Sequence, residues 1–137
     1  MASDHADTIT DRVLRHRFHR DCGLTLLARD GEGTVCRFTV NDYTVNPAGM
    51  LHGGILYAMM DVTAYLAVLP TLGEGENAVS HDVHVSVLRP VADDHVDLHA
   101  HILRRGRGVI FIRIEARDAA GRTAAAATVT KSVVPGA

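Results

Sequence analysis

Asn46-Pro47-Ala48-Gly49-Met50-Leu51-His52-Gly53-Gly54-Ile55-Leu56-Tyr57-Ala58-Met59-Met60-Asp61 runs on through Val62-Thr63-Ala64-Tyr65-Leu66-Ala67-Val68-Leu69 and stops at Pro70. Apolar residues fill nearly every position from Ile55 to Leu69, which predicts a helix buried on all sides rather than along one stripe. The polar residues within it are Tyr57, Asp61, Thr63 and Tyr65, and only Asp61 is charged. A carboxylate in that setting is costly to desolvate unless something pairs with it. The glycine pair at the helix mouth leaves backbone N–H groups unblocked, where the dipole favours a developing negative charge. One helix thus offers an oxyanion site at Gly53 and a buried acid at Asp61. Each part alone has a plainer reading: a turn glycine, a solvated aspartate, a capping or core histidine at His52. Together they point to catalysis.

Outward from this helix the chain reads as strands and turns. Thr8-Ile9-Thr10-Asp11 has capping-box spacing, and Val13, Leu14 and Phe18 follow on one side, which predicts a short amphipathic helix over 8–20 ended by Gly23. Leu24 to Ala28 and Thr34 to Val40 flank Arg29-Asp30-Gly31-Glu32-Gly33 as a β-hairpin. Residues 41–51 form a loop into the long helix, and 70–77 a second loop. Four strand-like runs follow, Ala78 to Leu88, His95 to Leu103, Gly108 to Asp118 and Arg122 to Val134, the last two joined by Ala119-Ala120-Gly121. One long apolar helix with about six antiparallel strands is an α+β pattern, a sheet wrapped around a helix in the manner of the hot-dog fold. The expected organisation is an N-terminal helical segment, 1–20, and one hot-dog domain, 21–137.

Composition narrows the function classes. The 137 residues are 47% hydrophobic, enough for one domain with a real core. Fourteen basic residues against sixteen acidic ones give a net charge of −2, so a nucleic-acid partner is not expected. Cys22 and Cys36 lack the spacing of a zinc site or a disulfide framework. The first residues lack the charged-then-apolar pattern of a secretory leader, and the apolar stretch is too short for a bilayer, so a soluble cytoplasmic protein without a membrane partner is expected.

Other constellations are weaker. His95, Asp97, His99 and His101 alternate along one strand, but neighbours on such a face stand about 7 Å apart and cannot all surround one ion. A solvated strand face with no metal is the expectation. Gly73-Glu74-Gly75-Glu76-Asn77-Ala78 has glycines near dinucleotide-fingerprint spacing, yet it precedes a strand instead of opening a helix. No Gly-x-Ser-x-Gly elbow or P-loop occurs, which argues against an α/β-hydrolase or a nucleotide hydrolase. Arg104-Arg105-Gly106-Arg107 reads either as a soluble turn or as a clamp for phosphates, which guanidinium groups bind bidentately.

The spacing of Asn46, His52-Gly53-Gly54 and Asp61 resembles the hot-dog-fold acyl-CoA thioesterases of the phenylacetic-acid-degradation type. Ala78-Val79-Ser80-His81-Asp82-Val83-His84-Val85, with Leu88-Arg89-Pro90 beyond, resembles the strand after the central helix in that family. The resemblance spans about residues 20 to 134; Pro47 departs from it, where the family often has a small flexible residue. It implies hydrolysis of an acyl-CoA or acyl-carrier-protein thioester, with coenzyme A as part of the substrate and no separate cofactor. It further implies that Ser80 positions water and that Arg89, Arg104, Arg105 and Arg107 serve the coenzyme A phosphates. In that family Asn46 and Gly53 of one chain would face Asp61 and Ser80 of a partner, in a homodimer or dimer of dimers.

Chemistry and geometry point the same way. A thiolate leaves readily, its parent thiol having a reference pKa of about 8.5, so one base and one oxyanion site can suffice. Asp61 would activate water or attack the carbonyl itself. The Gly53 N–H would hold the carbonyl oxygen, Asn46 would orient the carbonyl or the water, and His52 would pack against or hydrogen-bond the site. Eight residues of helix separate Gly53 from Asp61 by about 12 Å, too far for one carbonyl to meet both from one helix. Two alternatives stand beside hydrolysis. One is hydration or dehydration of enoyl or 3-hydroxyacyl thioesters with His52 as base; the other is a non-catalytic acyl-CoA-binding protein.

Overall fold

A computed structural model describes residues 2–136. In chain order it contains α1 (Ala2–Arg15), α2 (Arg17–Asp21), β1 (Thr25–Asp30), β2 (Gly33–Thr39), α3 (Gly53–Val68), a 3-10 turn (Leu69–Thr71), β3 (Glu76–Val87), β4 (His95–Arg105), β5 (Val109–Arg117) and β6 (Thr123–Pro135). The six strands make one antiparallel sheet in the order β1-β2-β4-β5-β6-β3. Strict alternation builds its inner face: Phe38, Leu98, Ile110, Ile112, Ile114 and Val129 are all fully buried. Leu56, Met59, Met60, Ala64 and Leu66 of α3 meet that face. Each of these side chains larger than alanine contributes about 1.5–3 kcal/mol relative to leaving it in water.

The helix differs from expectation in one respect. It is not buried on all sides: Tyr57 is exposed, and Ala58, Asp61, Val62 and Tyr65 are only half-covered. A largely apolar helix therefore keeps one face off its own sheet. With the 3-10 turn the helical run Gly53–Thr71 has the length and apolarity to cross a membrane, longer than the sequence alone indicates. Its buried face is the core of the sheet.

The N-terminus also differs. The helix is already under way at Thr8, whose hydroxyl donates back to the Asp4 carbonyl instead of capping a new start. It breaks at His16, whose extended backbone (ψ 133°) begins α2. α1 is fastened to the domain by Arg29, which donates to Thr10 Oγ1 (2.9 Å) and the Leu66 carbonyl (3.0 Å) and pairs with Asp7.

β3 is one edge of the sheet, twelve residues long and largely exposed. Val79, Val83 and Val87, with Leu88 just beyond, leave 40–61% of their surface open. A long edge with exposed apolar side chains is a template for pairing with another chain.

Candidate active site

Two clusters lie at different levels of α3. The first is at its N-terminus. His52 is the N-cap, and the Gly54 N–H donates to its Nδ1 at 3.0 Å. A Cβ at Gly54 would stand 3.1 Å from the imidazole, so glycine there makes room for the cap. With the Gly54 donor engaged, the Gly53 N–H is left without a partner among the described residues. It sits at the positive end of the helix dipole.

Asn46 lies in the loop leading to α3. Its Oδ1 accepts from Ala48 N–H (2.9 Å) and Met50 N–H (3.1 Å), and its own N–H donates to the Met50 carbonyl (2.7 Å). The side chain thus builds the loop with its oxygen and keeps its NH2 group as a donor. That division of labour follows from the short reach of an Asx-turn.

The second cluster is two turns along the helix. The Ser80 hydroxyl donates to Asp61 Oδ1 at 2.5 Å, and the Lys131 ammonium donates to Ser80 Oγ at 2.6 Å and to Asp61 Oδ1 at 3.4 Å. Ser80 and Lys131 face each other across β3 and β6, and the register shifts immediately after Ser80, where His81 is the extra residue. Such a bulge re-aims side chains at a sheet edge. His81 turns outward, its Nδ1 2.7 Å from Ser132 Oγ.

The Lys131 side chain is 3% exposed while that of Asp61 is 39% exposed, so the group is anchored inside and opens outward at the carboxylate. Burial pulls the Lys131 ammonium below its ordinary value, and the Asp61 charge and hydrogen bond oppose that shift. The ammonium also lies 5.4 Å over the Tyr65 ring, whose hydroxyl donates to Asn77 Oδ1 at 2.8 Å.

Sequence reasoning missed Lys131, although two signals were present. It is the only lysine among fourteen basic residues. It also occupies an inward phase of β6, in step with Ala127 and Val129.

The arginines separate. Arg105 reaches back to Glu76 (3.0 Å) and to the Thr71 and Gly106 carbonyls, fastening the β4–β5 turn to the segment after α3. Arg105 is thus already engaged within its own chain, with its side chain 24% exposed. Arg89, Arg104 and Arg107 are exposed. On β4, Asp97 takes a two-pronged contact from Arg37 (2.7 and 3.0 Å), which holds its carboxyl below the usual carboxylate range. Among the described residues no group of three or more His, Cys, Asp or Glu is placed to hold a metal. Cys36 is buried, and burial pushes its thiol up to about 11, an inert setting.

The six-stranded antiparallel sheet wrapped on α3 is the architecture of the hot-dog fold. The chain belongs to the Thioesterase superfamily, whose family model matches residues 48–125. It is 27% identical over 117 residues to human acyl-coenzyme A thioesterase 13, covering 84% of this chain and 83% of that protein. Among solved structures it is similar to a thioesterase from Haemophilus influenzae, with 25% identity, a TM-score of 0.86, and 90% and 87% of the two chains covered. It is also similar to a phenylacetic acid degradation-related protein from Ralstonia eutropha JMP134, with 28% identity, a TM-score of 0.79, and 89% and 97% covered.

Proposed function

We propose that this protein hydrolyses acyl-CoA thioesters at sites shared between two copies of the chain. One observation carries this reading: the Asp61 carboxylate, held by Ser80 and Lys131, opens on the uncovered face of α3. Both contacts fall on Oδ1, so Oδ2 takes a proton from water attacking the carbonyl. Ser80 Oγ keeps a second lone pair for that water. Attack by Oδ2 itself, through an anhydride, would use the same placement. The Gly53 N–H of the facing copy receives the oxyanion, and the Asn46 NH2 group orients the carbonyl.

The second copy is supported by the spacing along α3, the half-open face around Tyr57 and Asp61, and the apolar edge at Val79, Val83 and Val87. Pairing along β3 covers all three features in a two-fold dimer, and two dimers can pair again. Arg89, Arg104 and Arg107 supply charge for the coenzyme A phosphates, which favours coenzyme A over a carrier protein. Likeness to the Ralstonia protein supports an aryl-acetyl group as the first acyl group to test. Two buried free thiols, Cys22 and Cys36, suit the reducing conditions of a cytoplasm.

Hydration chemistry with His52 as base fits less well, because the capping bond occupies Nδ1 and leaves the proton on Nε2. The direct test incubates the purified protein with phenylacetyl-CoA and a chromogenic thiol reagent. Thiol release matched by free acid supports hydrolysis. Binding without thiol release, or water addition to an enoyl-CoA, would overturn it.

A further inference from the structure

Lys131 is unexplained by the fold. An ammonium group on the inner face of a sheet is costly to desolvate, and an apolar side chain of similar volume would pack there with equal or better stability. The surroundings give it little else to do. On α3 it meets Asp61 and the Tyr65 ring; on β3 it meets Ser80. Its partner on β5 is Ile110, its β6 neighbours Thr130 and Ser132 are neutral, and His81 and Asp82 of β3 are exposed. Asp61 is thus its one anionic partner among the described residues.

We propose that Lys131 is a positioning residue for the hydrolysis. It donates to Ser80 Oγ, forces the Ser80 hydrogen onto Asp61 Oδ1, and so holds Oδ2 toward the substrate. A hydroxyl rotor has several orientations, and a Ser80 free to turn would present its hydrogen to water as readily as to Asp61. The ammonium removes that freedom, because it can only donate. The chain of donors therefore has one direction, Lys131 to Ser80 to Asp61, and the two distances of 2.6 and 2.5 Å fit it. The bulge at His81 supports this arrangement by turning Ser80 against Lys131 at the sheet edge. Lys131 does not itself reach the open face, since its side chain is 3% exposed. This inference rests on the reading of Asp61 as the base.

The test measures kcat and KM against pH for the wild type, K131M, S80A and K131M/S80A, with D61N as control. K131M should lower kcat by about 10- to 100-fold, the scale of one charge-assisted hydrogen bond, and change KM by less than about 3-fold. Wild-type kcat should fall on the alkaline side below pH 10.5 as the buried ammonium loses its proton, and that limb should be absent from K131M. The double variant should be slower than S80A alone by much less than the K131M factor, because Lys131 acts mainly through Ser80 and meets Asp61 directly only at 3.4 Å. An alkaline limb retained in K131M, or losses that multiply in the double variant, would overturn the proposal. If K131M does not fold, K131Q keeps an amide donor near Ser80 without the charge and must also lack the limb. The control separates the two ideas. An active D61N removes the Asp61 reading and this one with it, whereas an inactive D61N beside a normal K131M profile removes only the role of Lys131.

Discussion

Asp61→Asn tests the chemistry with the least disturbance to the fold. Asparagine keeps the shape and leaves an oxygen to accept the Ser80 hydrogen bond, 2.5 Å long with Asp61 in place. What it removes is the basic oxygen and the charge facing Lys131 at 3.4 Å. Breaking a fully buried ion pair costs about 3–5 kcal/mol, and an exposed one about 0.2–1 kcal/mol. The Asp61 side chain is 39% exposed but Lys131 only 3%, so the expected loss falls between these limits, at about 1–3 kcal/mol. For a chain of this size each kcal/mol lowers Tm by about 3–6 °C, which leaves the protein folded at room temperature. The rate effect is far larger, since losing a general base lowers kcat by about 10² to 10⁴. Thiol release from phenylacetyl-CoA gives kcat and KM, and thermal melting by circular dichroism gives the stability change. A D61N protein turning over within about 3-fold of wild type would refute the assignment.

Other substitutions separate roles that share a residue or a patch. Asn46→Asp keeps the oxygen that accepts from Ala48 and Met50 but lacks the NH2 donor, so it should stay within about 0.5 kcal/mol of wild-type stability while kcat drops by about 10² or more. Asn46→Ala loses the loop bonds as well and should be destabilised by about 1 kcal/mol; full kcat in Asn46→Asp would leave Asn46 a loop residue only. Arg104→Ala and Arg107→Ala should each raise KM for acyl-CoA by up to about 10-fold and leave a short N-acetylcysteamine thioester unaffected. Arg105→Ala should instead lower stability by about 1 kcal/mol through its lost Glu76 contact, with KM unchanged.

Much of this was legible in the residues. The Gly-Gly mouth, the apolar run and the alternating strands carry local physics, and they located α3 and all six strands within a few residues. The exposed face of α3 was not legible, because hydropathy cannot distinguish a face buried in its own chain from one left for another chain. The start of α1 was misplaced because Thr8 has the chemistry of a cap and, in a helix already formed, equally that of a back-bonding side chain. Asp61 and Ser80 were each visible, but their contact with Lys131 depends on the register of β3 on β6, a long-range pairing. The same limit applies to Arg105, whose neighbours in sequence suggested a phosphate clamp and whose neighbours in space tie it to Glu76.

The central claim is that two chains build each site, and subunit complementation tests it most directly. Asp61→Ala leaves the oxyanion end intact, and Gly53→Val leaves the acid intact. A Cβ at Gly53 meets the end of the exposed Tyr57 side chain, its hydroxyl at 3.1 Å, and that flexible neighbour can give way, so the fold should tolerate valine. Each variant alone should be inactive. After subunit exchange, about half the dimers are mixed, and each mixed dimer holds one intact site and one doubly defective site. About a quarter of wild-type activity should return. No recovery, with exchange demonstrated by a tag on one variant, would mean that Asp61 and Gly53 of different chains do not meet at one thioester.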